Sequence, residues 1–98
     1  MSALSLDSIV SRRPEIMTSM LDDEMVMMDL SKGMYHMLEP VGTCIWNDLE
    51  HPRTVRDLCV ALVERYDVDF QTCQEQVQAF LARLLEAGLL RQHAGSVP

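Results

Sequence analysis

A chain of 98 residues, 48% of them apolar, has material for one modest core, and a deep catalytic cleft with its own lid is hard to fit into it. The 15 acidic residues outnumber 8 basic ones, for a net charge of −7. Affinity for nucleic acid comes mostly from Lys and Arg neutralising phosphates, so this balance argues against nucleic acid and anionic membranes and suits basic or neutral protein partners.

Residues 1–11 carry no sustained pattern and are expected to form a flexible N-terminus. Ile16 to Leu21 (IMTSML) then reads as a first strand, bounded by Pro14 and the acidic pair Asp22-Asp23. Glu24 to Leu30 (EMVMMDL) is the next apolar run, and Ser31-Lys32-Gly33 is a turn signal with a glycine free to take positive φ. Met34 to Leu38 (MYHML) follows as a third strand. Apolar runs joined by short loops predict hairpins, so this half is expected to be a three-stranded antiparallel meander.

The second half has helical spacing. Pro40 suits a first helical turn, and Val41, Cys44, Ile45 and Leu49 make one apolar face with Trp46 beside it. His51-Pro52 ends that helix. Thr54-Val55-Arg56-Asp57 resembles a capping box with Asp in place of Glu, and Val55, Leu58, Cys59, Leu62, Val63 and Tyr66 repeat behind it. Asp67 to Asp69 break the pattern, and Thr72-Cys73-Gln74-Glu75 is a second capping box. Behind it, Cys73, Val77, Phe80, Leu81, Leu84 and Leu85 define a third helix, closed by Gly88 as its C′ residue. Leu89-Leu90 adds a short extended piece, and residues 92–98 are expected to be a disordered tail. A sheet followed by helices makes the fold class α+β: a three-stranded antiparallel sheet and then a three-helix bundle, arranged like a winged helix-turn-helix, with one domain over residues 12–91.

Catalytic and metal chemistry find little support. His36, His51 and His93 are scattered, no His-x-x-x-His pair occurs, and neither a Gly-x-Ser-x-Gly elbow nor a phosphate loop is present. Cys44, Cys59 and Cys73 include no close pair of the kind that marks structural zinc. Their odd number and apolar surroundings predict reduced, buried thiols. Asp22-Asp23-Glu24 is read as a solvated hairpin turn, because a calcium loop needs alternating oxygen ligands over a longer segment. The chain is therefore expected to be no enzyme and to need no cofactor or metal. No apolar run reaches transmembrane length, and the N-terminus has no apolar core ahead of a cleavage site, which predicts a soluble, cytoplasmic protein. The 8 methionines suit an adaptable binding surface.

Two segments have the chemistry of peptide binding. Met34-Tyr35-His36-Met37-Leu38 carries no charge, whereas open sheet edges are usually blunted by charges; it is either an ordinary strand packed on the core or an edge to which an extended peptide can add. On the third helix, the stripe of Val77, Leu81, Leu84 and Leu85 is core, while Phe80 lies at its shoulder with Gln76 and Arg83 beside it. A groove between that helix and the third strand would have an apolar floor and a polar rim.

From Arg12 to Leu90 the chain resembles the PqqD-like domains, also called RiPP recognition elements. The resemblance rests on Pro14 before the first strand, Gly33 through Leu38, Ile45-Trp46, Arg53-Thr54-Val55, Tyr66-Asp67-Val68, and Phe80-Leu81 through Leu84, Gly88, Leu89 and Leu90. It covers about four-fifths of the chain; no single motif is diagnostic, and the order and spacing carry the match. One departure is Glu39, where the family often has an Asn that would cap the first helix.

The resemblance implies a non-catalytic domain that binds the leader of a ribosomally synthesised precursor peptide by strand addition. The leader would dock beside the third strand and against the third helix, on Met34, Tyr35, His36, Met37, Leu38, Cys73, Gln76, Val77, Phe80, Arg83 and Leu84. Free-standing relatives of this size resemble those of lasso-peptide clusters, which deliver the precursor to a separate leader peptidase and cyclase; other relatives serve radical SAM maturases. The competing reading is a winged-helix DNA-binding regulator. It suits the helix order, but the third helix has Arg83 as its only basic residue, whereas a recognition helix normally offers several contacts.

Overall fold

The computed structural model describes residues 4–93. In chain order the elements are β1 (Ile9–Arg12), β2 (Ile16–Leu21), β3 (Glu24–Asp29), β4 (Met34–Leu38), α1 (Pro40–Asp48), β5 (Arg53–Thr54), α2 (Val55–Arg65), α3 (Phe70–Glu86) and β6 (Leu90–His93). The fold is α+β, with three helices and two three-stranded antiparallel sheets, one ordered β2-β3-β4 and the other β5-β1-β6.

The meander forms where the sequence predicts it. Leu21 pairs with Glu24 across a two-residue connection, and Asp22 supplies the left-handed conformation that such a turn needs (φ 58°). At the β3–β4 turn Gly33 takes φ 66° and its N–H donates to the Asp29 carbonyl at 2.7 Å. The Asp29 carboxylate accepts from the Ser31 hydroxyl at 2.7 Å and from its N–H at 3.0 Å. These bonds hold its pKa below the ordinary value of 3.8, the Ser31 hydroxyl contributing most.

Period-two alternation sorts β3 into two faces. Met25, Met27 and Asp29 are buried toward the helices. Their partners on β4 are Leu38, His36 and Met34, which share that inner face. Met28 and Val26, paired with Tyr35 and Met37, lie on the outer face. Trp46, Met27, Leu49, Leu58, Leu81, Leu89, Val10, Val55 and Cys59 are the largest fully buried side chains, and they join both sheets and all three helices in one core.

The helix ends follow from local chemistry. Thr54 caps α2 by accepting from the Asp57 N–H at 3.1 Å. At α3 the sequence reading is corrected: the cap is Asp69, whose carboxylate accepts from the Thr72 N–H (3.0 Å) and hydroxyl (2.8 Å), so the helix begins at Phe70 instead of behind Thr72. An aspartate in the predicted break is simply the better acceptor. Gly88, at φ 79°, closes α3 in a Schellman motif, with Leu89 N–H to Leu84 C=O at 2.9 Å and Gly88 N–H to Leu85 C=O at 3.0 Å. Glu39 makes no side-chain capping bond at α1.

The second sheet corrects both terminal assignments. Where a flexible N-terminus was expected over residues 1–11, Ile9–Arg12 forms the central strand of β5-β1-β6. Leu4 is buried, and its carbonyl accepts from Gln78 Nε2 at 3.2 Å. Ser8 and Leu6 carbonyls accept from Val55 and Arg56 N–H groups, both at 3.0 Å. At the other end Gln92 and His93, expected in a disordered tail, pair with Val10 and Ile9; residues 94–98 of that expected tail lie outside the described residues. The partners of β1 are too distant in sequence for local periodicity to reveal them. Among the described residues no helix is long and apolar enough to cross a membrane.

Candidate functional site

A groove of about 710 Å³ opens where the end of β4 meets α1 and α3. Its walls are apolar: Leu38 from β4, Val41 and Ile45 from α1, Leu62 from α2, Val68 from the α2–α3 connection, and Val77 and Phe80 from α3. Polar groups stand at its edge, with Glu39, Gln76 and Arg83 among the lining residues. An apolar trough with a few placed polar groups is the usual form of a binding site.

Of the residues expected to bind peptide, seven line this groove: Met37, Leu38, Cys73, Gln76, Val77, Phe80 and Arg83. Met34, Tyr35 and His36 lie further back along β4 and do not line it. Leu84 does not line it either; at 6% exposure it belongs to the core. Phe80 is half-buried, as its place at the shoulder of the stripe predicts. The Arg83 guanidinium lies 5.8 Å from the centre of its ring, one turn along the same helix face.

Seven further lining residues, Glu39, Val41, Gly42, Ile45, Leu62, Tyr66 and Val68, were not among those expected to bind. Val41 carried a readable signal. It was placed on the apolar face of α1 with Ile45, and it is 45% exposed and lines the groove. Because Val41 and Ile45 are neighbours four residues apart, the apolar stripe of α1 serves the core and the groove at once.

β4 is the outermost strand of its sheet, paired only with β3. Strand geometry decides which of its backbone groups are free. A two-residue hairpin makes Leu21–Glu24 a hydrogen-bonded pair, and such pairs alternate along an antiparallel ladder. Glu24, Val26 and Met28 therefore turn their N–H and C=O groups toward β2, while Met25, Met27 and Asp29 turn theirs toward Leu38, His36 and Met34. The main-chain groups of Tyr35 and Met37 face the open edge. Their side chains are 66% and 58% exposed.

Cys73 lines the groove, and its thiol lies 3.8 Å from the Cys59 carbonyl oxygen. Burial raises the Cys73 thiol above its usual range, and burial with the adjacent Cys73 pushes Cys59 up to about 11. Both thiols stay protonated at neutral pH and are poor nucleophiles. Cys44 Sγ lies 3.6 Å from the Tyr66 hydroxyl, an interaction that raises the Tyr66 pKa. The histidines do not converge: His36 is on β4, His51 is exposed between α1 and β5, and His93 Nε2 lies 2.7 Å from Ser11 Oγ. Among the described residues no three His, Cys, Asp or Glu side chains gather closely enough to hold a metal ion.

Comparison with known proteins bears on the same region. The family model of coenzyme PQQ synthesis protein D (PqqD) matches residues 24–90, from β3 to the start of β6. Among solved structures, TbiB1 in complex with the TbiA(beta) leader peptide superposes with a TM-score of 0.78 at 30% identity, over 86% of this chain and 98% of that one. A lasso peptide synthetase B1 complexed with its leader peptide superposes with a TM-score of 0.73 at 26% identity, over 84% of this chain and 96% of that one. No curated protein sequence matches the chain.

Proposed function

The chain belongs to the PqqD family, and we propose that it is a non-catalytic recognition element, which binds the leader of a ribosomally synthesised precursor peptide as an added strand along β4. The observation that carries this reading is the junction of an uncharged open strand edge with an apolar groove. The leader complexes of the two similar structures support it.

Magnitudes show why both parts are needed. Tyr35 and Met37 offer four main-chain groups, and at roughly 0.5–1.5 kcal/mol net for each bond they supply about 2–6 kcal/mol. Micromolar affinity needs roughly 8 kcal/mol. One or two large apolar leader side chains buried in the groove, at roughly 1.5–3 kcal/mol each, close the gap. The edge alone would bind weakly and without selectivity, and the groove supplies the discrimination.

The bound leader is then presented to a separate maturation enzyme, a leader peptidase, cyclase or radical SAM maturase, in the cytoplasm. The winged-helix DNA-binding alternative is disfavoured by the charge of −7 and by Arg83 as the only basic side chain on α3. Fluorescence anisotropy with the cognate precursor leader tests the proposal. Saturable binding is expected, and its absence at about 100 μM, roughly −5.5 kcal/mol, refutes the reading. Tight, sequence-selective retention of DNA in a low-salt gel shift would restore the alternative.

A further inference from the structure

We propose that Gly42 is a positioning residue of the groove: by having no side chain it lets the Phe80 ring lie directly against α1, and this contact sets the width of the groove floor. The inference rests on the peptide-binding reading above and adds to it a residue that contacts no backbone edge.

Gly42 is buried in the first turn of α1 and is itself a lining residue. A Cβ built on it would meet Phe80 Cζ at 3.1 Å and Cε1 at 3.2 Å, with Leu38 Cβ at 3.6 Å. The Leu38 distance is ordinary contact, whereas the two ring distances are tighter than side chains normally tolerate. The helix, the strand end and the ring therefore meet at one point, and only the ring is free to yield. It is the far end of a side chain, it is half-buried, and the Arg83 guanidinium lies over it at 5.8 Å. A methyl group at position 42 would push the ring off α1 by a few tenths of an ångström or turn it to another rotamer, and would carry Arg83 with it. Interiors are close-packed, and a shift of that size in a groove wall alters what fits against it.

This assignment separates binding from stability in sign. Glycine is a poor helix former and alanine the best one, so Gly42→Ala should leave the melting temperature unchanged or raise it, provided that the ring gives way. Over the same substitution the affinity for leader should fall. A residue whose role was only structural would move both in the same direction.

The experiment is a double-mutant cycle on the full chain with Gly42→Ala, Phe80→Leu and the pair, read by thermal melts and by anisotropy with the fluorescein-labelled cognate leader peptide. Gly42→Ala is expected to bind about fivefold or more weakly at unchanged or higher melting temperature, and to have little further effect once Phe80→Leu has removed the ring. Wild-type affinity in Gly42→Ala overturns the inference, and so does an equal loss in both backgrounds. If Gly42→Ala alone fails to fold, rescue by Phe80→Leu supports the contact and failure of rescue overturns it. Should the wild-type chain bind no leader, the functional reading fails by itself. The contact is still judged in the free protein, where the Phe80 ring proton shifts must change on Gly42→Ala, and unchanged shifts overturn it.

Discussion

The two sheets have the same strand count and opposite fates. In β5-β1-β6 the central strand has Val10 fully buried and its other residues half-buried, and Leu90 of its neighbour is nearly fully buried. Its outer strands are blunted, β5 being two residues long and β6 carrying Arg91, Gln92 and His93. In β2-β3-β4 the middle strand is half-buried and both outer strands are largely exposed, with Met17, Met20, Leu21, Met34, Tyr35 and Met37 open to solvent. Neither β2 nor β4 contains a charged residue. Acidic residues flank β2, with Glu15 before it and Asp22-Asp23 after it. Only β4 runs into the groove. An open edge becomes a recognition site when a pocket lies beside it to choose among side chains.

The contrast is broken most directly at the closed sheet. Leu90→Ala should cost about 2–5 kcal/mol, as for other large-to-small core substitutions, and a chemical denaturation curve measures it. Tyr35→Ala, on the open sheet, should stay within about 0.5 kcal/mol of wild type. Equal losses at the two sites would abolish the distinction.

At the groove, stability and binding should part company. Phe80→Ala is expected to weaken leader binding about tenfold or more, roughly 1.4 kcal/mol. It should cost less stability than the roughly 3–5 kcal/mol of a fully buried phenylalanine, because the ring is half-buried. Titration and thermal melts on the same preparation check both parts, and a folded Phe80→Ala protein of normal affinity removes the residue from the site.

The edge itself can be tested one bond at a time. Proline is tolerated in an edge strand whose N–H faces outward. Tyr35→Pro should thus melt near Tyr35→Ala but bind leader more weakly, by the roughly 0.5–1.5 kcal/mol of one lost donor. His36→Pro, by contrast, removes a donor that faces β3 and should destabilise the meander. If Tyr35→Pro and Tyr35→Ala bind alike, the leader does not use that N–H.

The smallest effect concerns the two aspartates that organise turns in the two halves. The Thr72 N–H and hydroxyl lower the pKa of Asp69, as Ser31 lowers that of Asp29. A carboxylate with a lowered folded pKa contributes stability that is present above its unfolded value and lost as pH falls through the folded one. Stability should therefore hold from neutral pH down to about pH 4 and decline below it. Asp69→Asn and Asp29→Asn should each flatten that decline in acid melts.

Much of this protein was determined by local chemistry that can be read along the chain. The β2–β3–β4 meander, the Thr54 cap, the Gly33 turn and the Gly88 helix end each follow from residues within a few positions of one another. The same holds for the shoulder position of Phe80 and for the uncharged run of β4, so most of the groove's α3 side was legible. The tertiary structure alone decided three things. β1 has only four residues, and its partners are Arg53-Thr54 and Leu90 to His93, so no local pattern could reveal the second sheet. Leu84 was placed in the core by its periodicity and on the leader by the family resemblance, and only the packing of α3 decided between the two. Gly42 looks like any helix glycine until α1 and α3 are brought together, because its role lies in the space that it leaves for a ring 38 positions away. Periodicity assigns a side chain to a face, but what that face meets depends on contacts distant in sequence, and those are set by the fold as a whole.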